Sequence, residues 1–173
     1  RLWASFTRDK LECSAVFGHR TGALSASHLG ELVPAAYFAF RRRQRDIDHN
    51  TSCACRACAS IPELELKFVV HHGEFVERKM ARSRELVGAD VIVVHRLLKN
   101  TVAKKTGMEC YALFTQACVD HADLDAVAAA LVEHHAAATD VSKVTGWLLD
   151  LDGPWRHDQA QNGRAHDGTP GTH

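Results

Sequence analysis

Between Leu64 and Glu74 apolar residues fall on every second position. Leu64, Leu66, Phe68 and Val70 alternate with Glu65, Lys67, Val69 and His71, which is the period of a β-strand. The run Phe68-Val69-Val70 is apolar on both faces and so predicts a central strand rather than an edge. Pro62 precedes it, where a missing N–H does no harm. Gly73 frees the backbone to turn, gathering His71, His72 and Glu74 at the strand's end. Upstream, Lys10 to His19 reads as one or two short strands with Val16 and Phe17 inward. Ser27 is a candidate helix cap. From there Leu29, Leu32, Val33, Ala36, Tyr37 and Phe40 recur at three-and-four spacing, predicting a helix to about Asp46. Pro34 suits only a first turn and so suggests a later start.

Downstream, Glu77 to Arg84 (ERKMARSR) reads as a mobile charged connector. The β-branched run Val91–Val94 favours a strand by propensity. Its periodicity says otherwise: Val91, Val94, Leu98 and Val102 share one helical stripe, with Asp90 as a cap, and helix is the reading adopted. Gly107 ends that region and Cys110 to Thr115 reads as a strand. Gln116 to Ala122 follows, then an alanine-rich helix over Asp123 to Ala138 with Leu124, Val127, Ala128 and Leu131 inward. Val141 to Leu151 supplies the last strand, with Trp147, Leu149 and Leu151 alternating. After Trp155 almost nothing is apolar, so 156–173 is expected to be a disordered tail or linker behind one domain over 1–155. No internal repeat is visible. The order of elements predicts an α+β fold, with helices packed on one mixed sheet.

Composition narrows the partners. The chain has 173 residues, 46% of them apolar, enough for one domain with a core. Lys+Arg and Asp+Glu number 21 each, so net charge favours neither nucleic acid nor an anionic membrane. No apolar run approaches the roughly 20 residues of a membrane helix, and no signal-peptide pattern opens the chain; cytoplasmic residence is the expectation. Twelve histidines are unusual, but His157, His166 and His173 lie in the tail. The chain starts at Arg1, without Met, directly in an apolar stretch, and reads as N-terminally truncated. The basic run Arg41-Arg42-Arg43-Gln44-Arg45 offers either a phosphate or acidic-partner contact, or a solvated face complementing the helix C-terminal dipole; the second is the favoured reading.

Three of the six cysteines lie within six residues, a spacing foreign to disulfide frameworks. With His49, the thiols of Cys53, Cys55 and Cys58 offer four zinc ligands within ten residues. A C-x2-C turn presents two sulfurs to one ion; Cys53 joins them only if the loop curls. A structural zinc site of three cysteines and one histidine is one reading. Unliganded small residues in a tight turn and a redox-active thiol pair are the others. With all four ligands from the protein, the metal would hold the loop and catalyse nothing.

LELKFVVHHGEF, followed by LVGADVIVVHRLLKN, resembles the class III nucleotidyl cyclase catalytic domain. More closely, FAFRRRQRDIDHNTSCxCxAC, LKFVVHHGEF and DVIxVHRLLKN resemble an uncharacterised bacterial family of cyclase-like proteins, over roughly Lys10 to Trp155. The resemblance implies a ferredoxin-like mixed or antiparallel sheet with helices on one face, often a homodimer, or a domain beside a lipid-binding-type neighbour. Cyclase chemistry uses two metal ions held by two aspartates. In this resemblance the first aspartate would precede Arg1. The second, in a Gly-Asp hairpin, matches Cys13-Ser14, so Ser14 stands where a carboxylate is required. Ile92 occupies the position of the nucleotide-contacting asparagine, while Arg96 matches the arginine that steadies transition-state charge.

These readings lead to a non-catalytic cyclase-like domain that binds a nucleotide or partner as a sensor or scaffold. Arg96, Lys99, His71, His72 and Glu74 are its nucleotide or phosphate candidates; His49, Cys53, Cys55 and Cys58 are its structural zinc ligands; magnesium or manganese is not expected. The alternatives are a divergent metal-dependent cyclase and a zinc-stapled interaction domain. A hydrolase built on His71, His72 and Glu74 has least support, since it lacks a nucleophile or an i, i+4 metal pair.

Overall fold

A computed structural model of the chain describes residues 2–8, 11–17, 26–80, 83–122, 130–136 and 144–166. The β3 strand, Glu65–Val70, lies where the alternation of apolar positions predicts it, at the middle of a six-stranded sheet. On one side it pairs antiparallel with β1 (Leu2–Arg8), which forms a hairpin with β2 (Leu11–Phe17). On the other it pairs parallel with β6 (Tyr111–Thr115), bringing Phe68 opposite Ala112 and Val70 opposite Phe114. Beyond β6 lie β8 (Val144–Asp150) and then β7 (Val132–Ala136), both antiparallel, so the order is β2-β1-β3-β6-β8-β7. The single parallel pair makes the sheet mixed, and the fold α+β as expected.

Apolar residues on both faces of the central strands demand cover on both. Against Phe68, Val70, Ala112, Phe114 and Leu149 pack Leu29, Val33 and Tyr37 of α1 (Ala26–Asn50) and Cys118 and Ala122 of α5 (Gln116–Ala122). Against Val69, Tyr111, Leu113 and Leu148 pack Val91, Val94 and Leu97 of α3 (Ala89–Leu97) and Val102 of α4 (Val102–Thr106). Helices therefore cover both faces, where one covered face was expected. The cause is β6, whose five residues are all buried, with Phe114 on one face and Leu113 on the other; burying a side chain of that size contributes about 1.5–3 kcal/mol, so both faces need cover. The valine stripe settles α3 as a helix, since Val91 and Val94 are buried by it. Gly107, at φ 74°, closes α4 in the left-handed conformation that favours glycine.

Several local expectations are corrected. Where a charged connector was expected, β4 (Val76–Met80) and β5 (Ser83–Val87) form a two-stranded antiparallel sheet of their own. Its register sets Arg78 opposite Glu85, a cross-strand pair of opposite charge that a linear reading treats only as polarity. Helix α1 runs through Pro34 without a later start, and Ser27 is its second residue. Burial of Leu29 and Val33, on the same helix as the proline, offsets the lost hydrogen bond. The expected alanine-rich helix gives way over Val132–Ala136 to strand β7, because the edge of β8 supplies hydrogen-bond partners that outweigh helix propensity; Leu124, Val127 and Ala128 lie outside the described residues. After β8 the chain continues as α6 (Asp152–His166), anchored by buried Trp155 against the α1 side of the core. Among the described residues no helix is long and apolar enough to cross a membrane.

Candidate metal centre and the strand-end cluster

Helix α1 ends at Asn50 and the chain reaches β3 through an irregular loop, the short helix α2 (Arg56–Ala59) and a 3-10 turn (Ile61–Glu63). Cys55 caps α2 in extended conformation, and its Sγ accepts the Cys58 N–H at 3.5 Å. The loop curls enough that the sulfurs of Cys53, Cys55 and Cys58 all lie within 4.8 Å of one another. Cys53 and Cys55 are exposed and Cys58 half-buried. The following turn is braced by buried Gln44 of α1, whose Nε2 donates to the Ile61 and Leu64 carbonyls, both at 2.8 Å. Ser60 Oγ closes α2 by donating to the Arg56 carbonyl at 2.7 Å. Thus the far side of the knuckle is fixed to the fold while its sulfurs face solvent.

The sulfurs polarise one another. The Cys58 N–H, and then the Cys53 thiol, stabilise a negative Cys55 Sγ and lower its pKa to about 7. Cys58, donating its own proton toward Cys55 and Cys53, is pushed up to about 11. By contrast Cys118 is raised to about 11 by burial, and burial likewise raises Cys110; neither shares the knuckle. Three thiolates at this spacing suit a soft, tetrahedral ion such as zinc. The donor set is three sulfurs, without the expected imidazole. His49 is held in the last turn of α1, outside the cluster that forms around α2. Among the described residues the group close enough to share one ion is Cys53, Cys55 and Cys58.

At the other end of β3 the three adjacent polar residues part company. His71 is buried, its Nδ1 2.8 Å from Thr115 Oγ1 and its Nε2 3.2 Å from Asp90 Oδ1. Asp90 Oδ2 in turn accepts the Glu74 N–H at 2.6 Å. Asp90 is therefore a latch between α3 and the turn after β3, and not the helix cap its position suggested. Gly73 is required by that close approach: a Cβ there would lie 2.3 Å from Asp90 Cγ. His72 is exposed and stacks on His121 of α5, with ring centroids 3.6 Å apart and 15° between planes. Glu74 is exposed on the same turn. Thr115, Asp90 and His121 were missed because no local spacing links them to β3. The partners of His71 come from 19 and 44 residues away.

The remaining candidates lie apart. Arg96 is exposed on α3, away from buried Val91, Val94 and Leu97, as is Ile92; Lys99 lies just past the helix end. Ser14 lies inside β2, opposite Phe6 of β1, not in the turn between them. The basic run divides: Arg42 and Arg43 are exposed, but Arg41 is drawn inward to Asp152 and Tyr37.

The family described as "Protein of unknown function (DUF2652)" matches residues 4–106, from β1 through the end of α4. The chain belongs to this family. The match takes in the knuckle, β3, the latch residues His71 and Asp90, and α3. The DUF2652 chain is also similar to the uncharacterised protein Rv2561/Rv2562 of Mycobacterium tuberculosis. The two are 40% identical over 93 residues, which cover 54% of this chain and 44% of that protein. The chain thus spans less than half the length of that relative. No solved structure matches the chain.

Proposed function

We propose that this DUF2652 chain is a non-catalytic, cyclase-like scaffold domain whose surface knuckle is stapled by zinc. The zinc staple rests on the three thiols of Cys53, Cys55 and Cys58, which lie within 4.8 Å of one another on a loop anchored by Gln44, and the cyclase-like part only on the resemblance of the β3 and α3 segments. Zinc supplies a Lewis-acidic centre that ties the thiolates together and orders the loop. The protein's own groups do the rest. Gln44 holds the base of the knuckle to α1, and the Cys58 N–H steadies the Cys55 sulfur. The strand-end residues support a structural role there, since His71 and Asp90 are occupied with Thr115 and the Glu74 N–H. The partner of such a scaffold is a second copy of the chain or a neighbouring domain. Elemental analysis of the purified chain is expected to give close to one zinc per protein, falling sharply in Cys58→Ser. A ratio near zero in the unaltered chain would discard the staple.

A second reading is favoured by one observation. Arg96 and Lys99 are exposed cations three residues apart at the C-terminal end of α3, a pairing whose chemistry suits a phosphate. Calorimetry with ATP, GTP and cyclic nucleotides is expected to give heat that Arg96→Ala abolishes. No heat with any of them leaves only the partner-binding scaffold. Nucleotide turnover in manganese would replace both readings with a divergent cyclase.

A further inference from the structure

We propose that Cys55, with Cys58 beside it and Cys53 behind, forms a thiol–disulfide exchange site that reacts with low-molecular-weight disulfides. The site shares its sulfurs with the zinc staple but does not need the metal. Access comes first. Cys53 and Cys55 are exposed and Cys58 is half-buried, whereas Cys110 and Cys118 are each only 3% exposed. Proximity comes second. The three sulfurs lie within 4.8 Å of one another, so bonding distance requires only a local closure of the turn. Freedom to close is the third condition. Helix α2 buries no residue, and the braces at Gln44 and Ser60 hold its C-terminal side, leaving residues 51–55 to adjust without disturbing the sheet. Cys55 is assigned the attacking role because its sulfur is already held over the turn by the Cys58 N–H.

The exchange balances as follows. The Cys55 thiolate attacks one sulfur of the disulfide R–S–S–R. That S–S bond breaks, Cys55–S–S–R forms, and the departing RS⁻ takes up the proton given up by Cys55. The Cys58 thiolate, its proton released to solvent, then attacks Cys55 Sγ, forming the Cys55–Cys58 disulfide and expelling the second RS⁻, which is protonated. Net, the protein dithiol loses two electrons and two protons, and the small disulfide is reduced to two thiols. Cys53 is within the same reach of Cys55, so it resolves the mixed disulfide when Cys58 is absent.

The test uses the full chain, treated with a chelator and then with oxidised glutathione, and reads intact mass, free thiols and peptide maps. Zinc content is measured on the same sample beforehand. The unaltered chain is expected to lose two thiols without gaining glutathione, with the new bond mapping inside residues 53–58. The double variant C53S/C58S is expected to stop at one glutathionyl group on Cys55. C55S is expected to lose the rapid reaction while its circular dichroism stays unchanged. Retention of all thiols in the unaltered chain, or a disulfide mapping to Cys13, Cys110 or Cys118, overturns the exchange site. The two readings fail separately: zinc near zero with exchange intact removes only the staple, and zinc near one with no exchange after chelation removes only this site.

Discussion

Phe114→Ala is expected to cost the fold about 3–5 kcal/mol. Phe114 lies in β6 with no exposed surface, between Val70 of β3 and Trp147 of β8 in the sheet register. It belongs to the cluster under α1, with Val33 and Tyr37. Removing the ring leaves a cavity between α1 and the strands β3, β6 and β8. Those strands are hydrogen-bonded into the sheet and cannot collapse inward, so little of the loss is recovered by relaxation. Set against a typical total of about 5–15 kcal/mol, the change takes away a large part of the stability. Urea unfolding should show a lower midpoint with an unchanged slope. A loss below about 1 kcal/mol, the size of a surface change, would mean that the ring is not enclosed as described.

The next largest effect is expected at Asp152, where Asp152→Ala should cost about 2–3 kcal/mol. Its Oδ1 accepts from Tyr37 Oη at 3.0 Å and from Arg41 Nη2 at 3.1 Å. Arg41 Nε also donates to Tyr37 Oη at 2.9 Å, closing a triangle that ties α1 to the start of α6. Without the carboxylate, the Tyr37 hydroxyl keeps only the weaker Cys110 sulfur as an acceptor, and Arg41 loses its counter-charge. Burial already drives the Tyr37 pKa well above its usual range, so the phenol stays a donor and cannot adapt by ionising. The side chains of Arg41 and Asp152 keep 22% and 24% of their surface, which holds the cost below that of a fully enclosed pair. Arg156 also meets Asp152 but is 75% exposed, so Arg156→Ala should be nearly silent. A double-mutant cycle of Tyr37→Phe with Asp152→Ala measures the coupling by denaturant unfolding; strict additivity would refute the triangle.

These two sites differ in how far they can be read ahead of the fold. Phe114 falls in the apolar run CYALFT, and its burial follows from the pattern alone. Arg41 sits in an arginine-rich run where charge suggests a solvated face, and only its register on α1 and the arrival of Asp152, 111 residues later, draw it inward. The same division holds at the knuckle. The C-x-C-x2-C spacing offers three thiols that gather only if the loop curls, and the fold supplies that curl, while His49, equally close in sequence, lies in the last turn of α1. At the strand end, His71-His72-Gly73-Glu74 marks a turn, yet the turn's use depends on Asp90 and Thr115 arriving from α3 and β6.

Periodicity alone established the central strand β3, the buried face of α1 apart from exposed Leu32, and the helical state of α3, while spacing offered the cysteine cluster without deciding whether Cys53 joins it. Each is a property of neighbours a few residues apart, where backbone geometry repeats and burial imprints a period. Folding in three dimensions settled that helices cover both sheet faces, that Val76–Met80 pairs with Ser83–Val87, that Val132–Ala136 becomes an edge strand, and that His71 and Arg41 each find a carboxylate. Those outcomes depend on hydrogen-bond edges and charge partners brought together from distant segments, and such partners leave no period in the chain that could be read beforehand.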